Sequence, residues 1–149
     1  MTEKRERPRD ELGRPQPWDA PNRLELEDFD RLSVDENHRL GVEHFNAGRY
    51  FPAHEAWETA WKQTRDTDDG EFFKGLSQLG AGYVHLLRGN RHGAFTLLRR
   101  AAGRIGRYPK GHRGVDTERV AARATADADE IEGGKLEPGE GALRDHPKV

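Results

Sequence analysis

A histidine, two glutamates and two tryptophans lie within eight consecutive residues of this chain, at positions 54–61. On a helix, with about 100° per residue, four of these side chains share one stripe about 100° wide: His54, Trp57, Glu58 and Trp61. A surface helix turns a stripe of this width toward its core. Because tryptophans favour burial, we expect them to bring His54 and Glu58 into a partly buried position. Buried ionisable groups need partners, so the cluster predicts either a polar network or a reactive site.

The network is the interpretation that we favour. Glu58 would accept a hydrogen bond from a nearby histidine or cation, and Gln78 would satisfy the remaining lone pairs. The candidate donors are His54, His85 and Arg65. Buried networks of this kind need no ion. The sequence therefore predicts a non-catalytic binding or scaffold module in which the cluster is architectural, and no cofactor is expected.

Two enzymatic alternatives stay open. His54 and Glu58, one helical turn apart, could share a metal ion, and His85 would complete a set of two histidines and one carboxylate. Zinc accepts such a set with an open water position. The chain would then be a small metal-dependent enzyme, hydrolytic in its chemistry, with Glu55 as its base. The same groups could instead carry out acid–base catalysis without a metal.

The two tryptophans also allow two interpretations. Rings at i and i+4 on a helix usually pack in the core, and we favour this for Trp57 and Trp61. The alternative is that they stack on a base or a ligand ring. The remaining histidines lack partners at metal-binding spacing and are expected on the surface or in loops: His38, His44, His92, His112 and His146.

Capping residues, glycines and apolar periodicity predict five helices, and no segment alternates with a period of two residues. Ser33 and Glu36 form a capping-box signature, Asn90 can cap the fourth helix, and the acidic loop 66–69 is expected to cap the third. The helices are expected at about 34–48, 52–64, 71–87, 90–106 and 117–131. The predicted fold is all-α: a compact bundle of about five helices built from antiparallel helical hairpins, with disordered termini.

The third helix has two faces of different character. One is apolar and is expected in the core, with Phe72, Leu76, Leu79, Tyr83 and Leu86. The other carries small residues between two polar ones: Gln78, Ala81, Gly82 and His85. We expect the second face to meet the second helix, which would bring His54, Glu58, Gln78 and His85 together.

The composition of the chain limits the kinds of protein and chemistry that are possible. The chain has 149 residues, of which 35% are charged and none is cysteine, so thiolate chemistry and cysteine-based zinc sites are excluded. With no apolar run of about 18 residues and no signal-like N-terminus, a cytoplasmic protein is expected. Proline, glycine and charge predict a disordered segment at 1–22, a helical domain at 23–132 and a flexible acidic tail at 133–149.

Basic residues concentrate in the middle of the chain, where residues 88–123 carry ten Lys/Arg against two Asp/Glu, or +8. Four arginines occupy one face of the predicted fourth helix and form the arginine face: Arg99, Arg100, Arg104 and Arg107. Such a face could bind nucleic-acid phosphates or a protein partner. It could equally be an ordinary solvated helix face, neutralised by the chain's own acidic ends. A nucleic-acid accessory protein is therefore a third alternative, and no membrane partner is expected.

Segments 45–51, 54–61 and 75–79, together with His85 and Gly89-Asn90, resemble a known family over about residues 38–107. This is the bacterial and archaeal family called domain of unknown function 309. Its members are small all-helical proteins marked by a His-x-x-x-Glu-x-x-Trp motif, which maps here to His54, Glu58 and Trp61. The resemblance implies an all-helical fold and no settled activity. It also implies that metal binding, which has been suggested for the motif, belongs among the alternatives.

Overall fold

The computed structural model describes residues 6–149, and in these residues five α-helices follow one another along the chain. They are α1 (Val34–Asn46), α2 (Tyr50–Thr64), α3 (Gly70–Leu87), α4 (Arg91–Ile105) and α5 (Thr117–Glu132). Links of three to five residues join the first four helices, and links this short make neighbouring helices antiparallel. Each helix packs on the helices that precede and follow it along the chain. The predicted all-α bundle of helical hairpins is therefore confirmed.

Local signals set the helix ends. Ser33 and Glu36 form the predicted capping box, with the Glu36 amide donating to Ser33 Oγ over 3.1 Å. Asn90 caps α4 by accepting from the Gly93 amide, also as predicted. The sequence predicts that the acidic loop 66–69 caps α3, and this prediction is wrong for Asp69, the residue at the N-cap position. Asp69 makes no cap bond, because its carboxylate accepts from His112 and Arg113 over 2.6 and 2.8 Å.

α3 lies at the centre of the bundle, between α2 and α4. All five residues of its predicted apolar face are at most 1% exposed: Phe72, Leu76, Leu79, Tyr83 and Leu86. Glycines let neighbouring helices approach closely. A Cβ at Gly82 would lie 2.7 Å from the Leu98 side chain of α4, and a Cβ at Gly41 would meet the Trp57 ring. The core is therefore built from large side chains of α3 and small residues at the helix contacts.

The described residues outside the helical bundle, 6–28 and 133–149, contain no α-helix. That these ends are disordered stays a prediction. Arg14 and Glu140 join the two ends through an ion pair of 2.5 Å. The boundaries 1–22, 23–132 and 133–149 stay a prediction, and residues 1–5 lie outside the described part of the chain. Within residues 6–149, none of the helices has the length and apolar character that a bilayer span requires.

Candidate functional site

His54 and Glu58 lie one turn apart on α2 and form an ion pair. Nε2 of His54 is 3.1 Å from one carboxylate oxygen of Glu58, and Nζ of Lys62 is 3.2 Å from the other. The His54 and Glu58 side chains are 23% and 34% exposed, so the pair lies between core and solvent, as the sequence analysis expects. Sequence analysis missed Lys62, although its i+4 spacing from Glu58 is a recognisable ion-pair signal.

The second ring nitrogen of His54 faces Ser77 on α3. His54 Nδ1 lies 2.9 Å from the Ser77 carbonyl oxygen and 2.9 Å from its hydroxyl oxygen. Gly80 allows this approach, because a Cβ there would lie 3.0 Å from the backbone nitrogen of His54. Sequence analysis also missed Ser77. A serine one turn before a helical glycine is the signal that could have indicated a close helix contact at this point.

The two partners of His54 restrict its protonation. A carboxylate only accepts, so Nε2 must carry a proton and donate to Glu58. At Nδ1, the Ser77 hydroxyl can donate to a neutral ring, while the Ser77 carbonyl can accept from a protonated one. When the ring is protonated, the hydroxyl can donate to the His54 carbonyl oxygen, 3.3 Å away. The site therefore accommodates both charge states with little movement.

Burial alone would lower the pKa of His54, but the hydrogen bonds to Glu58 and to the Ser77 carbonyl outweigh it, and the pKa is raised above 6.5. For Glu58, the hydrogen bond from His54 dominates over burial and, with help from Lys62, lowers the pKa from 4.5 to about 2. Both shifts favour the charged forms. The pair is therefore an imidazolium–carboxylate pair below the raised pKa of His54.

Gln78 and Gly82 lie against α4, so the prediction that their face packs on α2 is wrong for both. Gln78 accepts a hydrogen bond from Arg104 over 3.1 Å, and Gly82 lies under Leu98. His85 is bound instead to the cap of α4, where Asn90 Nδ2 lies 3.0 Å from His85 Nδ1. Burial, with smaller effects from Arg88 and His54, lowers the pKa of His85.

Within the described residues, one group brings three possible metal ligands together, and it consists of His54, Glu55 and Glu58. One ligand atom from each residue lies within 4.8 Å of the others. His85, which the sequence-based metal set included, does not belong to this group, and Glu55 takes its place. One imidazole and two carboxylates suit Zn²⁺ or Mn²⁺ by donor chemistry.

Trp57 is a core residue with 0% exposure, as predicted. Its indole Nε1 donates to Nδ1 of His38 over 3.1 Å, and His38 Nε2 donates to the Arg113 carbonyl oxygen over 3.0 Å. Because Nδ1 accepts, the His38 ring is neutral with its proton on Nε2, and burial lowers its pKa. The expectation that His38 and His44 lie on the surface is wrong, since each is 8% exposed.

Trp61 differs from Trp57 because it is half-buried at the edge of the core. Nζ of Lys74 and Cζ of Arg65 lie 5.5 and 6.0 Å from the centroid of its ring. These cations already cover part of the ring by cation–π contacts. The two tryptophans therefore do not form one stacking surface.

The arginine face of α4 is partly neutralised by neighbouring helices. Arg99 pairs with Asp129 and Glu132 of α5 over 3.0 and 3.1 Å. Arg104 pairs with Glu71 of α3 over 2.8 Å. Arg100 is exposed, and so is Arg107, which lies beyond the end of α4 at Ile105, so its predicted place on this helix is wrong. The acidic partners come from α3 and α5, whereas the sequence analysis expected them from the chain ends.

The helical bundle with its His54–Glu58 pair defines an all-helical protein whose site is built on one face of α2. Residues 38–97 match the model of a family described as "Domain of unknown function (DUF309)", which confirms the resemblance found in the sequence. This stretch runs from α1 into α4 and includes His54, Glu58 and Trp61. No curated protein and no solved structure matches the chain significantly.

Proposed function

We propose that this protein is a non-catalytic helical binding module, in which His54 is paired with Glu58 on α2 and joins α2 to α3 through Ser77. The observation that carries the proposal is that both ring nitrogens of His54 have partners inside the bundle. Nε2 faces Glu58 on α2 and Nδ1 faces Ser77 on α3. A catalytic base or metal ligand needs a free lone pair directed at its substrate or ion. Here the ring joins two helices instead.

The charge balance of the cluster supports the same proposal. Glu58 is shared between His54 and Lys62, so its charge is compensated on both sides. Its lowered pKa makes it a poor proton acceptor near neutral pH, since an efficient general base has a pKa near the working pH. A stable ion pair at a helix contact is a structural element rather than a proton shuttle.

A metal-dependent hydrolase is the second candidate, favoured by the cluster of His54, Glu55 and Glu58 ligand atoms within 4.8 Å. These residues fit a divalent ion by donor type, and His54, Glu55 and Glu58 would hold it. A bound ion would supply Lewis-acid chemistry. Binding would require His54 Nε2 to lose the proton that it shares with Glu58, because histidine coordinates a metal through a deprotonated nitrogen.

Elemental analysis and thermal melting separate these candidates. We expect dialysed protein to contain no stoichiometric metal and its melting temperature to be unchanged by added Zn²⁺ or Mn²⁺. A ligand that binds only the native state raises the melting temperature by mass action. A metal that survives dialysis, raises the melting temperature above about pH 6 and is lost in His54→Ala would overturn the proposal. Glu55→Gln is a second test variant, because in the metal candidate it too should weaken metal binding.

A further inference from the structure

The last residues of the chain lie against three helices. Asn46 at the end of α1, Tyr50 at the start of α2 and Arg123 on α5 present polar groups to residues 145–149. We call these three side chains and their surroundings the tail groove. It lies at the α1–α2 junction and on α5, and its contacts do not involve His54 or Glu58.

The three residues of the tail groove contact different residues of the tail. Arg123 binds Asp145 twice, through the Asp145 carbonyl over 2.5 Å and its carboxylate over 3.4 Å. The Tyr50 hydroxyl lies 2.9 Å from His146 Nδ1, and the two rings stack with an angle of 22°. Lys148 Nζ donates to the carbonyl oxygen of Asn46. Arg123 therefore contacts Asp145 chiefly through the backbone carbonyl, because the Asp145 side chain is 92% exposed, whereas His146 and Lys148 are contacted through their side chains.

The side-chain amide of Asn46 forms two hydrogen bonds with the main chain of the tail. Its Oδ1 accepts from the Val149 amide over 2.9 Å, and its Nδ2 donates to the Val149 carbonyl over 3.4 Å. This two-point contact selects an extended peptide. Pro147 is buried in the groove, and a residue that precedes proline favours the extended conformation, so His146 is preorganised for this shape. Gly48 adds space, since a Cβ there would lie 3.3 Å from His146 Nδ1.

Hydrogen bonds within the bundle, and not contacts with the tail, hold Arg123 in place. The Asp127 side chain is 8% exposed and accepts from Tyr83 over 2.6 Å and from Arg123 over 2.8 Å. These bonds hold the Arg123 guanidinium in position, with its remaining donors directed at Asp145. Burial raises the pKa of Tyr50, so its hydroxyl stays protonated as a donor. The recognition groups are thus preorganised by the bundle.

The link between α5 and the anchored residues is held to the rest of the chain at separate points. The Gly139 amide donates to the Leu86 carbonyl over 2.9 Å, and Glu137 accepts from Arg91 over 2.9 Å. The link contains glycines at 133, 134, 139 and 141, and a cleft of about 560 Å³ lies between it and α5. A glycine-rich link that ends in a hydrogen-bonded segment is the arrangement of a tethered ligand. Tethering of this kind gives an effective concentration in the millimolar range, so the tail would compete with any similar peptide.

We propose that the tail groove is a binding site for an extended partner peptide that carries an acidic residue, then His-Pro, then a basic residue. The chain's own residues 145–149 occupy the site as an intramolecular competitor. This inference deepens the proposed function by giving the binding module a class of partner. It rests on that function only in treating the chain as a binder, and its test leaves His54, Glu55 and Glu58 unchanged.

The test uses the full-length chain and a fluorescein-labelled peptide with the sequence of residues 142–149, followed by fluorescence anisotropy. The tail variant Asp145→Ala/His146→Ala/Lys148→Ala weakens the docking of the tail without changing a residue of the bundle. We expect it to bind the peptide at least about tenfold more tightly than the wild-type chain, in which the tethered tail competes. Adding Asn46→Ala to the tail variant should abolish binding, and the Asn46 side chain contacts only the tail among its described hydrogen bonds.

Circular dichroism and melting temperature verify that each variant is folded. Absence of peptide binding by a folded tail variant, or equal binding by wild type and tail variant, would overturn the proposal. Equal binding of a peptide with the same residues in reversed order would overturn it too. A wild-type dimer that exchanges tails, and that the tail variant no longer forms, would assign the groove to a second copy of this chain instead.

Discussion

Replacing Glu58 by glutamine keeps the size of the side chain and removes the charge that binds His54 and Lys62. The lowering of the Glu58 pKa from 4.5 to about 2 corresponds to about 3 kcal/mol at 1.36 kcal/mol per unit. About a third of this side chain is exposed, and solvent screening weakens such pairs. We therefore expect Glu58→Gln to lower the free energy of unfolding by about 1–2 kcal/mol near pH 6, or several degrees in melting temperature.

The pH dependence of this loss follows from the two pKa shifts. The Glu58 pKa is lowered, so its contribution is present above about pH 4.5 and disappears as the pH falls toward 2. The His54 pKa is raised, so its contribution is present below 6.5 and disappears as the pH rises through the raised value. The difference in stability between wild type and Glu58→Gln should therefore be largest between about pH 4.5 and 6.5 and should decrease on both sides.

Urea unfolding in EDTA-containing buffers at several pH values measures this difference without interference from metals. The matched control is Glu55→Gln, which changes a neighbouring carboxylate that forms no ion pair in the described part of the chain. A loss for Glu55→Gln as large as that for Glu58→Gln would contradict the reasoning. So would a loss for Glu58→Gln that does not vary with pH, because the effect would then not arise from charge.

Three further outcomes are expected. Gly80→Ala should lower the free energy of unfolding, because the new Cβ would disturb the His54 contact. Gly103→Ala, at an open helical position, should raise it by about 0.5–1 kcal/mol. If denaturant unfolding showed both variants stabilised or both destabilised, this reasoning would be contradicted. Trp57→Ala should cost about 3–5 kcal/mol in the same assay and Trp61→Ala about half as much, and similar costs would mean that both rings are core. Because α3 and α5 partly neutralise the arginine face, we expect no binding of duplex DNA or RNA in low-salt gel shifts. Binding that weakens steeply with salt would restore the nucleic-acid function.

The helices could be predicted from the sequence because their signals are local. The capping box at Ser33, the cap at Asn90 and the glycine stops each act within one turn of the residue concerned. The apolar face of α3 could also be predicted, since the periodicity of apolar residues determines which of them share a helix face. These features require no knowledge of where other helices lie.

The partners of the site could not be predicted in the same way, because periodicity does not determine which helix a face meets. Gln78 was expected beside His54, but its long side chain is bound by Arg104 of α4. The contact with His54 is made by Ser77, partly through a backbone carbonyl that any residue type would offer. That contact depends on the close approach at Gly80, which becomes visible only in three dimensions.

The packing of each helix on its successor has a consequence for how the chain folds. Contacts between neighbours in sequence close short loops, which costs little entropy, and domains rich in such contacts fold quickly. The contacts of residues 145–149 with Asn46 and Tyr50 are long-range in sequence, because about a hundred residues separate the partners. We expect the bundle to assemble first and the tail to dock afterwards. The amide of Val149 should then exchange with deuterium long before those at the centre of α3.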